Sequence, residues 1–85
     1  MTKAFNDVQD GLYRDSKLNL RFSGSTCVSV LIVGNKIFCS NVGDSRAILV
    51  RGTKDGNHVA IPLNRDHKAD EPDEEARILR NGGRV

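Results

Sequence analysis

Apolar residues recur at steps of three and four near the start of the chain, run together or alternate in its middle, and return to helical spacing near its end. Ala4, Phe5, Val8 and Leu12, with Tyr13, predict an amphipathic helix from Lys3 to Arg14. Gly11 weakens its last turn. Leu18, Leu20 and Phe22 alternate with polar residues and predict a short extended segment leading into the break at Ser23-Gly24-Ser25. Thr26 to Val33 is β-branched and almost continuously apolar, the pattern of a strand covered on both faces. Lys36 to Val42 pairs back on it across Gly34-Asn35, a two-residue hairpin turn with glycine first, which sets Val33 opposite Lys36 and Val30 opposite Cys39. Ala47 to Arg51 forms a third strand, and Gly52-Thr53-Lys54-Asp55-Gly56-Asn57 turns the chain into a fourth, His58 to Pro62, completing an antiparallel meander. A closing helix has Asp70 as N-cap, Pro72 in its first turn, Ala76, Ile78 and Leu79 as its buried stripe, Arg77 and Arg80 late, and Gly82 as its stop.

Composition narrows what such a chain can be. Its 85 residues make one small domain or a piece of a larger one, since domains run to about 100–150 residues. A hydrophobic fraction of 38%, with three Phe, one Tyr and no Trp, gives a thin core. A helix is under way directly after Met1, and the chain stops at Val85 after a Gly-Gly pair that would lead into a new strand. Both ends therefore read as cuts through a larger unit. Thirteen basic and eleven acidic residues leave a net charge of +2 with the signs interleaved. Arg14, Lys17 and Arg21 alternate with Asp15 and lack aromatic partners for base stacking, so nucleic acid is not an expected partner. No stretch reaches the 18 or so apolar residues of a membrane span, and the polar start lacks a signal-peptide core. The expected setting is intracellular, cytoplasmic or nuclear, with no membrane partner.

The two cysteines fall on opposite faces of the hairpin. Cys27 shares a face with Ser29 and Leu31, and Cys39 with Val28, Val30 and Ile32. That register argues against a disulfide and for two small apolar residues in a reducing compartment. No C-x-x-C or paired-His spacing suggests zinc.

Asp44 is the residue best placed for chemistry. In Asn41-Val42-Gly43-Asp44-Ser45-Arg46-Ala47 the Gly-Asp pair between two strands forms a tight turn that carries a carboxylate beyond the sheet edge. Hard divalent cations take such oxygen ligands from several chain segments. An Asp in a turn also serves it by accepting from nearby backbone N–H groups, and the turn alone leaves both roles open. Arg46, at a strand start, fits a structural pairing with a carboxylate or carbonyl better than phosphate binding. His67 reads as a loop anchor rather than a general acid, and His58 as a surface residue. Glu74, Glu75 and Arg77 read as a solvated helix face. Ser25 and Ser45 lack a nucleophile elbow, neither cysteine sits in a phosphate loop, and the glycines make no phosphate-cradling pattern.

Four blocks, in order and spacing, resemble the middle of the metal-dependent protein serine/threonine phosphatases of the PP2C (PPM) family: Ser23-Gly24-Ser25-Thr26; Asn41 to Ala47; Leu63-Asn64-Arg65-Asp66-His67-Lys68; and Glu74-Glu75-Ala76-Arg77-Ile78 with the closing Gly82-Gly83-Arg84-Val85. Cys27 stands where the family usually has Ala. The resemblance implies an α+β fold, part of the PP2C-like α-β-β-α sandwich, with antiparallel strands and flanking helices. It makes residues 1–85 the central piece of a catalytic domain. It implies hydrolysis of phosphoserine and phosphothreonine in phosphoprotein substrates at a binuclear Mg²⁺ or Mn²⁺ centre, where a bridging water of lowered pKa attacks phosphorus.

The Asp of the matching Gly-Asp-Ser-Arg motif, here Asp44, is associated in that family with an additional, weaker metal site. Thr26 is suggested as a residue orienting a metal-bound water or neighbouring ligand, a strand Thr at a sheet edge being the other reading. The main metal carboxylates and the phosphate-gripping Arg belong to motifs upstream of Met1 and downstream of Val85, and no Asp-Gly-His-Gly stretch or Asp-Asn ending occurs in the chain. The 85 residues alone are therefore expected to be inactive. Two alternatives stay open at this point: a pseudophosphatase kept as a binding or regulatory module, and a short product that associates with itself to cover its sheet edges.

Overall fold

The computed structural model describes residues 1–85. The order of elements is helix α1 (Thr2–Arg14), strands β1 (Cys27–Val33), β2 (Lys36–Val42), β3 (Ile48–Gly52) and β4 (His58–Pro62), and helix α2 (Pro72–Arg80). Two helices and two antiparallel strand pairs make this an α+β chain.

The first hairpin follows from its turn. Gly34 has φ of 59°, the positive value that a two-residue loop with glycine first requires, and no other residue type has positive φ anywhere in the chain. The resulting register sets Val33 against Lys36 and Val30 against Cys39. Cys27 pairs with Val42, so the thiols lie on opposite faces and both cysteines are free. Ser29 and Ser40 face each other and share a hydrogen bond of 2.7 Å between their hydroxyls. The β3–β4 pair runs from Ile48 opposite Pro62 to Gly52 opposite His58. Its loop is closed by Thr53, whose backbone N–H donates to Asn57 O at 2.8 Å.

The strands do not form a four-stranded meander. They make two separate two-stranded sheets, β1–β2 and β3–β4. After Val42 the chain turns through Gly43, at φ of 99°, and the backbone that would have laddered β3 onto β2 bonds instead to the segment after β4. Nor is β1 covered on both faces: Val30, Leu31, Ile32 and Val33 are all exposed.

Helix α2 ends as the sequence leads one to expect, in a Schellman arrangement. Gly82, at φ of 77°, donates to Leu79 O at 3.1 Å and Gly83 to Ile78 O at 2.9 Å. Its start differs. The N-cap is Glu71 rather than Asp70, with no side-chain cap bond, because Pro72 sets the first helical position. Of the expected buried stripe only Ile78 is half-buried, while Ala76 and Leu79 are exposed.

No residue of the chain is buried. The radius of gyration is 16.9 Å, against about 12 Å for a compact domain of this length. Pairing within each hairpin is extensive and contact between hairpins and helices is sparse. The apolar faces are made by this sequence and left uncovered by it. No helix is long and apolar enough to cross a membrane.

Candidate functional site

Structure beyond the hairpins concentrates where two loops meet, residues 43–47 between the sheets and 63–67 after β4, with Asn41 at the end of β2 beside them. Glycine is required at position 43 for two reasons. Its φ is strained for any L side chain, and a Cβ there would stand 2.8 Å from Thr26 Cβ and closer still to Thr26 Cγ2. The turn thus folds tightly onto Thr26, whose Oγ1 forms a 2.7 Å hydrogen bond with Ser45 Oγ.

The second loop laces this turn in place. Gly43 O accepts from the His67 backbone N–H and from Asn41 Nδ2, both at 2.9 Å. The Asn41 amide spans both loops, since Nδ2 also donates to Arg65 O at 3.1 Å. Those two carbonyls fix the orientation of the amide, and leave Asn41 Oδ1 buried without a partner. Asn64 uses both ends of its side chain: Nδ2 donates to Ser45 O at 2.9 Å, and Oδ1 accepts from the Ala47 N–H at 2.8 Å. Leu63 adds a backbone bond to Ala47 O at 2.9 Å.

Arg46 closes the same junction. Its Nε and Nη2 donate to Asp66 Oδ1 and Oδ2 at 3.2 and 2.8 Å. This planar two-point pairing is available to Arg and not to Lys. The hydrogen bonds from Arg46 hold the Asp66 carboxyl below its ordinary pKa, helped by the charges of Arg46, Lys68 and His67, and Asp66 in turn raises the pKa of Arg46. Lys68 Nζ lies 3.8 Å from Asp66 Oδ2. Arg46 therefore has the structural pairing that its sequence position suggested.

Asp44 sits at the centre of this lacing, exposed to solvent. The atoms beside it are bound to other residues, while its carboxylate takes part in no hydrogen bond or ion pair of the chain. The alternative role of Asp44, accepting from the backbone of its own turn, is thus not the one the geometry displays. A divalent ion needs several oxygen ligands, and no group of three or more His, Cys, Asp or Glu side chains comes together in the chain. These residues fit a contribution of one carboxylate to a cation site and do not fit a complete one.

The remaining residues singled out from sequence fall outside this cluster or serve it by backbone. His67 and His58 are exposed, and His67 acts through its main chain. Glu74 is not part of a fully solvated face. Its side chain is only 17% exposed and receives Arg77 Nη2 at 2.7 Å, which holds its carboxyl below the ordinary value. An open cleft of about 500 Å³ lies between α2 and the Val42–Gly43 turn, lined on the helix side by Glu74, Arg77 and Ile78. Sequence reasoning did not single out Asn41 and Asn64, because asparagine in a turn-rich stretch is common for local reasons.

Comparison with known proteins agrees with the four-block pattern. The family model described as protein phosphatase 2C matches residues 1–85. Probable protein phosphatase 2C 69 of Arabidopsis thaliana is 40% identical over 85 residues, 100% of this chain and 23% of the relative. Probable protein phosphatase 2C 75 of the same plant is 52% identical over 63 residues, 74% of this chain and 14% of the relative. Protein phosphatase 2C 37, also from Arabidopsis thaliana, is 55% identical over 62 residues, 73% of this chain and 14% of the relative. The chain thus spans less than a quarter of the length of these relatives. No solved structure matches it. With the family model matched along its whole length, the chain belongs to the protein phosphatase 2C family.

Proposed function

We propose that the protein carrying this sequence is a metal-dependent protein serine/threonine phosphatase, acting on phosphoserine and phosphothreonine in protein substrates. Residues 1–85 are then the central piece of its catalytic domain. Their contribution to the active centre is Asp44, an oxygen ligand to Mg²⁺ or Mn²⁺, with the principal ligands supplied by other parts of the protein. The observation that carries this reading is a free, exposed carboxylate at Asp44 on a turn whose neighbouring backbone is tied down.

When bound, the cation lowers the pKa of a coordinated water and offsets charge developing on the phosphoryl oxygens. The work of this chain is positional. Gly43 permits the turn, Thr26 packs against Gly43 and bonds to Ser45, and the second loop ties the turn through Gly43 O and Ala47 O. Arg46 is occupied by Asp66 and is not free to grip phosphate.

The test is phosphate release by the full-length protein from phosphoserine, phosphothreonine and phosphotyrosine peptides, with Mn²⁺ or Mg²⁺ and with EDTA. Turnover confined to the first two and abolished by EDTA is expected. Cation binding with no turnover on any peptide would replace the enzyme reading with that of a binding or regulatory module.

A further inference from the structure

The peptide unit before Asp44 and the one that follows Ser45 are held by asparagine side chains. The carbonyl before it, Gly43 O, accepts from Asn41 Nδ2 at 2.9 Å, and the carbonyl of Ser45 after it accepts from Asn64 Nδ2 at 2.9 Å. Asn64 Oδ1 then takes the Ala47 N–H at 2.8 Å, so one amide bridges two positions of the loop. Asn41 and Asn64 are half-buried while Asp44 is exposed. Backbone bonds from His67 to Gly43 O and from Leu63 to Ala47 O tie the two ends of this five-residue turn, and the asparagine amides add the side-chain restraint on the peptide planes between them, whose rotation would swing the Asp44 carboxylate.

Resting on the reading of Asp44 as a cation ligand, we propose that Asn41 and Asn64 are positioning residues that fix the Asp44 carboxylate for metal binding. The chemistry selects an amide. Asn and Gln present a donor and an acceptor on one carbon, in one plane and at any pH, and Asn64 uses both on the backbone of Ser45 and Ala47. A carboxylate at position 64 would set an oxygen against Ser45 O, and an aliphatic residue would leave both backbone groups unpaired. Asn41 uses the two hydrogens of one nitrogen on Gly43 O and Arg65 O, tying the Asp44 turn to the loop after β4. Each asparagine acts through the backbone of the turn, as groups behind a metal ligand commonly do.

The experiment compares Asn64→Ala, Asp44→Ala and the double variant in the full-length protein, with Mn²⁺ binding followed by calorimetry and backbone mobility at 43–47 by amide hydrogen exchange. Asn64→Ala is expected to weaken, by roughly 10–100-fold, the Mn²⁺ step that Asp44→Ala removes. It is also expected to speed exchange in the turn and to add nothing to Mn²⁺ binding once Asp44 is gone. Asn64→Gln, which keeps both amide groups one methylene further out, is expected to fall between wild type and Asn64→Ala, and it serves if the alanine variant fails to fold. The proposal is overturned if Asp44→Ala removes a Mn²⁺ step that neither Asn64 variant alters, or if the effect of Asn64→Ala persists undiminished without Asp44. A Mn²⁺ isotherm untouched by Asp44→Ala overturns the reading of Asp44 itself, and this single variant separates the two failures.

Discussion

Arg46 and Asp66, twenty residues apart, are joined by two nearly parallel hydrogen bonds, Nε to Oδ1 at 3.2 Å and Nη2 to Oδ2 at 2.8 Å. The Asp66 side chain is only 14% exposed, whereas that of Arg46 is 62% exposed. The pair is a side-chain clasp between the Asp44 turn, just ahead of β3, and the loop that holds that turn. Arg46→Lys is expected to give up the two-point geometry while keeping the charge. Amide exchange at 43–47 and at 65–67 would rise together in that variant. Unchanged exchange in both segments would mean the clasp is decorative.

The same pair gives a pH dependence whose sign is fixed. Asp66 has a lowered pKa in the folded chain, so its stabilising contribution is fully present above the ordinary carboxylate value of about 3.9. It is lost as the pH falls through the lower folded value. Asp73 and Glu74 are shifted in the same direction by Arg65 and Arg77, so the contribution of Asp66 is read by difference. The denaturant midpoint of the full-length protein and of Asp66→Asn, followed from about pH 5 to about pH 2, should differ at the upper end and converge at the lower. A constant gap across the range would contradict the assignment.

Gly43→Ala is expected to be among the most damaging small substitutions in the chain. It places a side chain at φ of 99° and drives a methyl group into Thr26. Strain of that kind costs on the order of 1–3 kcal/mol before the clash is counted. Urea unfolding of the full-length variant measures it. Gly34→Ala, at φ of 59° with open space around it, is expected to cost less. An equal loss at the two sites would remove the role given to Thr26.

With no residue buried, the 85-residue chain by itself is expected to melt without a cooperative transition and to bind a dye that reports exposed apolar surface. Circular dichroism against temperature tests this. A single sharp transition at a concentration where sizing shows a monomer would contradict it, while a sharp transition that moves with concentration would point to self-association.

Local structure was the most legible part of the sequence. The glycine-first turn at Gly34-Asn35 dictates the β1–β2 register, and with it the opposed faces of Cys27 and Cys39, because a two-residue loop leaves one way to pair. The β4 span and the end of α2 at Gly82 followed from equally local signals. Pairing between elements was less legible. Alternating strands suggested one meander, but Ala47 meets Leu63 and the side chain of Asn64, and these bonds take the place of a β2–β3 ladder. The start of α2 slipped by one residue because Pro72, and not a capping side chain, defines it. Asp44 stood out as a carboxylate at a turn tip. The asparagines that frame it did not, since their partners lie up to 24 residues away and periodicity carries no trace of them.

The central claim is that Asp44 is a cation ligand, and Mn²⁺ binding to the full-length protein and to its Asp44→Ala variant tests it most directly. The expected result is one Mn²⁺ step weakened or lost in the variant, with the other steps and the melting temperature of the metal-free protein unchanged. Superimposable isotherms would contradict it and leave Asp44 as a solvent-facing residue of a well-built turn.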